Sequence, residues 1–588
     1  MAEVDAPTTA KPPTETGVGL TDQTNLLPFR QVLLVFMSLA LCSLVSALDS
    51  VIVATALPTI SAHFHAGAVS SWVPSAYLIT STACQPLYGR FSDIFGRKVM
   101  LCVAVAIYIV GSLAAGFSTS IVEVIAWRAV AGAGGGGVQS LAQIIMSDVV
   151  SLRDRRGKYQ GIIGGFIALG YAVGPPIGGG LAQKVSWRWC FWITLPLAFV
   201  AILVVIFVLP LKSVSGDMKQ KLGVIDYLGS LLALCACTLV ILPIIWGGVT
   251  YPWASAHVLA PLLVGLFAMG LFCIWEWLGA KLPIVPMYIF KHMTVTGVYI
   301  TMFINGFIFF SSLYYLPQFF QVVLGYSPVY SGTFLLPVLV TQTVASFATG
   351  MTVSRTGKYR TIVHLGFTVW AVGCGCLSTV TVTTKKPLLV LYMVLAGIGA
   401  GGTLQTTTVA AQASVSRKDM SVVTAVRNFV RLLGGTLSLA IGSTVINNTF
   451  RASMTALSLP PDVVSAIIAE PGLLRASSTL SSLTPAQAAY ILSRGYTRGF
   501  RNLFILNAAL SSVAVVASVF MIRAKELTRG DEEKYRAEAK SRLKAERSGK
   551  AKEDATETAG GQNDMGDIEM GIGPGIGDAV EKQAALHP

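Results

Sequence analysis

Fourteen apolar runs, each of about twenty residues, leave this chain few ways to fold. Their approximate limits are 31–56, 71–92, 99–118, 121–147, 158–182, 189–211, 224–247, 256–279, 292–316, 328–353, 360–380, 386–411, 421–447 and 502–522. A run of that length and apolarity crosses the hydrocarbon as an α-helix, because lipid offers no hydrogen-bond partner to an open backbone. The expectation is an all-α membrane protein with fourteen transmembrane helices. With 53% hydrophobic and only 12% charged residues over 588 positions, the chain carries too much apolar surface for a soluble multidomain protein. The first run exceeds a signal-peptide core in length and follows a polar stretch containing Pro and Thr, so it is read as a retained span.

The formal charge of +14 would suggest a nucleic-acid partner in a soluble protein. Here Lys and Arg gather in short loops and in the C-terminal tail, so their distribution reports topology instead, and no nucleic acid is expected. Loops around Arg90 to Lys98, Arg153 to Lys158, Lys212 to Lys221, Lys281 to Lys291, Arg355 to Arg360 and Arg417 to Lys418 are basic. Segments 57–70, 248–257 and 317–327 hold no Lys or Arg. Both termini are therefore expected on the cytoplasmic side.

An internal repeat organises the spans. AGAGGGG at 131–137 returns as AGIGAGG at 396–402, Arg153-Asp154 returns as Lys418-Asp419, and Gly89 and Gly96 are echoed by Gly350 and Gly357. Two six-helix bundles follow, 31–211 and 281–522, with a linker at 212–280 that carries two inserted helices. A disordered N-terminus (1–30) and a basic, then Gly-rich tail (523–588) flank them, and the first part of the tail suits anionic lipid. One long loop, 448–501, lies on the far side, and Asn447-Asn448-Thr449 at its start forms a glycosylation sequon. Repeats of this kind build membrane proteins whose halves rock around a central site.

Residues present in only one half are not explained by that symmetry. Asp93 aligns with Ser354 and Arg128 with Met393. A guanidinium in the fourth span costs about 2.5–3.5 kcal/mol unless it faces protein or water. Asp49 lies at a similar depth in the first span, so a direct pair or a water-bridged relay would satisfy both charges, and a purely structural ion pair stays open. In GRFSDIFGRK, Gly89 and Gly96 permit close approach and tight reversal, Asp93 suits a helix N-terminus, and Arg90, Arg97 and Lys98 supply partners. Gly170, Gly174, Pro175, Pro176 and Gly178 to Gly180 line the outer half of the fifth span, where small residues allow backbone contact with a helix expected from the second half.

Gly132 to Gly137 also satisfies G-x-G-x-x-G, but no strand precedes it, so dinucleotide binding is not expected. P-loop, H-E-x-x-H and G-x-S-x-G patterns are absent from the sequence. No enzyme activity, metal or cofactor is expected. The nine cysteines fall mostly inside apolar runs and read as packing residues.

These segments together resemble the major facilitator superfamily, specifically its fourteen-span drug:proton antiporter family of fungal type, over about residues 30–525. LDSVIVATALPTI at 48–60 is similar to that family's first-span signature, GRFSDIFGRK to its loop between spans 2 and 3, and WRAVAGAGGGG at 127–137 to its fourth-span Arg motif. GYAVGPPIGGG resembles its span 5 antiporter motif, and SWRWCFWITLP at 186–196 the segment that follows. Ile94 stands where the wider superfamily often has Arg, and Pro175-Pro176 brings one extra Pro into the span 5 motif.

The resemblance implies proton coupling through Arg128 with Asp49, an inward/outward switch governed by Asp93 and its basic neighbours, and export favoured by the span 5 motif. The implied protein is a monomeric proton-driven exporter of small amphipathic or cationic organic compounds in the plasma membrane, powered by the proton gradient alone. Gln139, Asn305, Tyr314, Tyr315, Gln318 and Gln405 are the candidate cavity residues. Two rivals stand beside it: a vacuolar basic amino-acid/proton antiporter, which needs acidic residues facing the cavity, with Glu276 the best placed, and a non-transporting nutrient sensor.

Overall fold

The computed structural model describes residues 29–66, 69, 72–150, 156–208, 218–247, 251–460, 463–464, 467, 474, 483–523 and 541. Apart from one isolated bridge between Gly247 and Tyr251, every regular element among the described residues is helical. The N-terminal stretch before residue 29, the Arg153-Asp154 element of the repeat, and the tail beyond Arg523 except residue 541 lie outside the described residues.

Each apolar run becomes a helix. The first half contains α1 (Phe29–Phe64), α2 (Trp72–Phe95), α3 (Arg97–Phe117), α4 (Ile121–Val149), α5 (Arg156–Lys184) and α6 (Leu195–Val208). Then come the inserted α7 (Tyr227–Trp246) and α8 (Ala256–Leu278). The second half contains α9 (Met293–Val322), α10 (Leu336–Thr356), α11 (Tyr359–Ser378), α12 (Lys386–Leu404), α13 (Met420–Thr455) and α14 (Thr497–Met521). Thirteen helical segments are long and apolar enough to cross a membrane. The fourteenth, α2, has 24 residues and so the length to span about 36 Å, but it carries Gln85, Arg90 and Asp93, all buried against protein.

The two halves repeat their packing. α1 lies on α5 as α9 lies on α13, α2 on α4 as α10 on α12, and α3 on α4 as α11 on α12. Glycines set these contacts at matching places. A Cβ added to Gly136 would sit 2.2 Å from Ser81 O, and one added to Gly401 would sit 2.3 Å from Gln342 O. Gly132 against Tyr77 O (2.4 Å) and Gly397 against Val338 O (2.5 Å) form a second matched pair. Any side chain at these points would push the helices of one bundle apart.

Inserted helix α7 bridges the halves: Cys237 and Ile241 pack with Ile79 and Ala83 of α2 and with Phe429 and Leu433 of α13. The expected 448–501 loop is helical at both ends. α13 continues to Thr455, and a short helix Pro485–Tyr490 passes through a π-helical turn, Ile491–Tyr496, into α14. The reason is packing: Phe450 meets Tyr496 with ring centroids 5.7 Å apart, and Gly495 and Gly499 bring the extension of α14 onto that of α13.

Candidate functional site

Asp49 on α1 and Arg128 on α4 meet directly, without a relay between them. Arg128 Nη1 donates to Asp49 Oδ2 at 2.7 Å, and both side chains are fully buried. The guanidinium carbon lies 4.3 Å from the ring centroid of Tyr77 and 5.6 Å from that of Phe191, so aromatic faces cover the pair. Asp49 Oδ1 has no protein donor and Arg128 Nε no protein acceptor. In the second half Met393 occupies the place of Arg128 and is buried among apolar neighbours, so the charge pair belongs to one half only.

The GRFSDIFGRK segment joins α2 to α3 at the basic end of the molecule. Gly96 makes the reversal with φ 100°, a backbone conformation that suits glycine. Asp93 accepts from Arg97 Nη1 at 2.6 Å and from the Ser421 hydroxyl at 2.8 Å, and Ser421 is in the first turn of α13. A carboxylate at a helix N-terminus is favoured by the peptide dipoles. Arg97 Nε also donates to Asp148 Oδ2 at 2.8 Å, which ties α3 to the end of α4. Arg90 donates to Pro283 O at 2.7 Å, and Lys98 Nζ to Ile206 O at 2.6 Å. Gly89 lies against α13, where an added Cβ would be 2.7 Å from Ala425 Cβ.

One more bond crosses between the halves at this end, and another ties the second half together internally. Gln412 donates to Ser147 at 2.6 Å. Tyr288 donates to Asp419 at 2.6 Å, and burial followed by the Asp419 carboxylate pushes its phenol above the ordinary value, so it stays a donor throughout the physiological range. The halves are therefore closed on each other at the basic end.

The span 5 glycines lie elsewhere than expected. Gly170, Gly174 and Gly178 face α1 of their own half, where an added Cβ would lie 2.9 Å from Ala47 Cβ, 2.5 Å from Val51 Cγ2 and 2.1 Å from Ile52 O respectively. Gly179 makes only ordinary contact with Thr55, and Gly180 faces open space. α1 and α5 are neighbours inside the first bundle, which is why the small residues meet there and not on a helix of the second half. Pro175 presents its carbonyl to the Thr55 hydroxyl at 3.0 Å, which helps to hold α5 to α1. Pro176 is the residue that reaches across, to Gly332 in the short helix Pro328–Phe334.

Of the candidate cavity residues, Gln139 and Gln405 line a narrow central cavity, with Gln143, Arg427, Asn428 and Arg431. Gln405 occupies the break between α12 and the short helix Thr406–Ser414, and neither of its side-chain polar atoms has a partner. Helices interrupted at mid-membrane commonly form such sites. Asn305 stands behind the lining, accepting from Arg431 Nε at 3.1 Å and donating to Thr403 at 3.0 Å. Tyr315 is a packing residue, its hydroxyl bonded to Leu439 O at 2.5 Å. Tyr314 is half-buried beside it, and Gln318 is exposed and accepts from Tyr496 at 3.3 Å. Asn447 lies inside helix α13 with its amide on Ser443, a poor setting for a sequon that works in open loops. Glu276 accepts from the Val285 backbone N–H at 3.0 Å, away from the cavity lining.

Arg427 and Arg431 are absent from the sequence expectations. The test that selected Arg128, a guanidinium inside an apolar run, would have found both in 421–447. Gln143, Asn428 and Tyr77 gave no such signal, because uncharged polar residues are common in spans.

Residues 39–439 match the sequence pattern of the Major Facilitator Superfamily. The chain is 36% identical over 430 residues to efflux pump dotC of Dothistroma septosporum, covering 73% of this chain and 74% of that protein. It is 33% identical over 520 residues to citrate exporter 1 of Yarrowia lipolytica, covering 88% and 76%. Its fold is similar to that of the proton:xylose symporter XylE, with a TM-score of 0.53 at 12% identity over 86% of this chain and 98% of that one.

Proposed function

Because the chain belongs to the Major Facilitator Superfamily, we propose that it is an efflux transporter of small organic compounds driven by proton antiport. It is a multi-pass membrane transporter and not an enzyme. The relatives named as an efflux pump and a citrate exporter support the export direction. The coupling reading is carried by the fully buried Asp49–Arg128 pair. Arg stays charged at every accessible pH, so a proton arriving on Asp49 leaves a buried guanidinium without its counter-charge. That state is relieved only by moving Arg128 to a new environment, which links proton uptake to a rearrangement of the helices.

The cycle then runs as follows. With Asp93, Ser421, Gln412 and Ser147 holding the basic end shut, access is from the opposite side, where a proton reaches Asp49 and substrate leaves. Release of these bonds opens the central cavity to the cytoplasm, where the proton is lost and new substrate enters. The plasma membrane and a monomeric state fit this reading. The basic amino-acid alternative calls for carboxylates facing the cavity, and the described lining offers arginines instead.

The test is efflux from proteoliposomes with an imposed pH gradient, alongside metabolite levels inside and outside cells of a deletion strain. Wild-type protein should accelerate efflux when the gradient is applied, and Asp49→Asn should not. Gradient-independent efflux by the wild type would refute coupling, and unchanged metabolite distribution in the deletion strain would refute export.

A further inference from the structure

We propose that the central cavity is built to bind an organic anion, its carboxylate held by Arg427 and Arg431; this names the substrate class of the transport reading above and rests on it. Arg427 is 0% exposed and Arg431 7% exposed, and both line the cavity. They are four residues apart on α13, so they share a face and repel each other. Neither can shed its charge.

Their partners are all neutral. Arg427 donates to Asn428 Oδ1 at 2.8 Å, Gln143 Oε1 at 3.4 Å, Thr407 Oγ1 at 3.3 Å and the Leu404 carbonyl. That carbonyl is freed by the end of α12, so the helix dipole gives Arg427 partial compensation. Arg431 has Asn305 and stands 5.0 Å from the Phe309 ring centroid and 5.7 Å from that of Phe310. The described carboxylates are engaged elsewhere: Asp49 with Arg128, Asp93 and Asp148 with Arg97, and Glu123 with Thr119. Asp226 accepts from Trp275, Glu276 from Val285 and Asp419 from Tyr288.

Donors remain unused beside the two charges. Arg427 Nε, Asn428 Nδ2 and Gln405 Nε2 are buried without a partner, as is the acceptor Gln405 Oε1. Two guanidinium forks with spare amide donors match a carboxylate, which takes two parallel N–H bonds from a guanidinium. An ammonium or other cation would meet like charge from Arg427 and Arg431. The substrate expected from sequence as amphipathic or cationic is therefore assigned here to carboxylate-bearing compounds. Export of an anion in exchange for an entering proton moves positive charge inward in both half-steps, so transport should respond to membrane voltage as well as to pH.

The experiment uses the purified full-length protein at fixed pH and ionic strength, following thermal unfolding with citrate, benzoate, sulfate or tetraphenylphosphonium added. A saturable rise in Tm with citrate or benzoate, weakened tenfold or more in apparent Kd by Arg431→Gln and partly kept by Arg431→Lys, is the expected result. Arg427→Gln also removes the cap on α12, so Arg431 is the residue on which the proposal stands. No saturable rise with either organic anion, a rise unchanged in Arg431→Gln, or a larger rise with tetraphenylphosphonium would overturn it. Equal effects of sulfate and citrate would make this a general counter-ion site and overturn the organic assignment. No pH gradient is present, so citrate binding without gradient-driven transport would sink the coupling reading and leave the anion site standing.

Discussion

Ser421 on α13 and Asp93 on α2 are 328 residues apart in the chain, yet the Ser421 hydroxyl lies 2.8 Å from both oxygens of the Asp93 carboxylate. One partner belongs to each bundle, so the bond exists only while the halves are closed at the basic end. Arg97 holds the same carboxylate from its own half and fixes its direction.

Asp93→Asn keeps the shape and removes the charge. A hydrogen bond to a charged group contributes about 1.5–3 kcal/mol, so the balance between closed and open basic ends should move roughly tenfold to a hundredfold toward open. A cysteine placed at Gln143 should then react faster with a membrane-impermeant maleimide added from the basic side. Ser421→Ala should shift labelling in the same direction by at least as much, because it removes the bond between the halves outright and Arg97 holds Asp93 only from its own half. Labelling rates equal to the parent protein in both variants would remove the latch from the mechanism.

Arg128→Ala leaves Asp49 charged in a fully buried position, and breaking a buried pair from one side costs about 3–5 kcal/mol. Lower folded yield is expected along with lost gradient-driven transport. The double variant Asp49→Asn/Arg128→Gln removes both charges and should recover yield without recovering coupling. Arg128→Lys should also transport poorly, because an ammonium lacks the planar fork. Size-exclusion profiles and proteoliposome transport measure the two effects separately. Coupled transport by the double variant would leave the pair with a structural role alone.

Gly178 and Gly180 are two residues apart and should behave oppositely. An added methyl at Gly178 meets Ile52 O at 2.1 Å, so Gly178→Ala must separate α1 from α5, at a cost of roughly 1–3 kcal/mol. At Gly180 nothing lies within 4 Å, so Gly180→Ala should be neutral or stabilising by about 0.5–1 kcal/mol through helix propensity. Thermal unfolding and efflux should both fall for Gly178→Ala and hold for Gly180→Ala. Equal tolerance at both sites would contradict the α1–α5 contact.

Tyr315 and Gln405 separate packing from substrate contact. Tyr315→Phe loses one buried hydrogen bond, while Leu439 O keeps its place in the helix ladder, so it should cost about 0.5–1.5 kcal/mol of stability with unchanged substrate KM. Gln405→Ala removes a side chain that lines the cavity without any protein partner, so it should raise KM with little change in Tm. Transport kinetics together with Tm decide this, and the reverse pattern would move the cavity to α9.

The fourteen helices, the repeat and the cost of Arg128 were all legible in the chain, because hydropathy, run length and charge are properties of neighbouring residues. Lipid imposes helices on any run of that kind, so local pattern becomes secondary structure with little interference from the rest of the fold. Asp49 as the partner of Arg128 was also within reach, since two buried opposite charges at one depth have few other ways to be satisfied.

What only the tertiary structure decided concerns contacts between segments far apart in sequence. Span 5 glycines announce a close helix contact but not its partner, and the partner is α1 because the first bundle closes on itself. Asp93 announces a need for donors, yet Ser421 supplies one only through the docking of one bundle on the other. Arg427 and Arg431 each resemble Arg128 in the chain. Their want of a carboxylate appears only when every described acid has been placed in space, because compensation of a buried charge depends on the few ångströms around it and not on sequence distance.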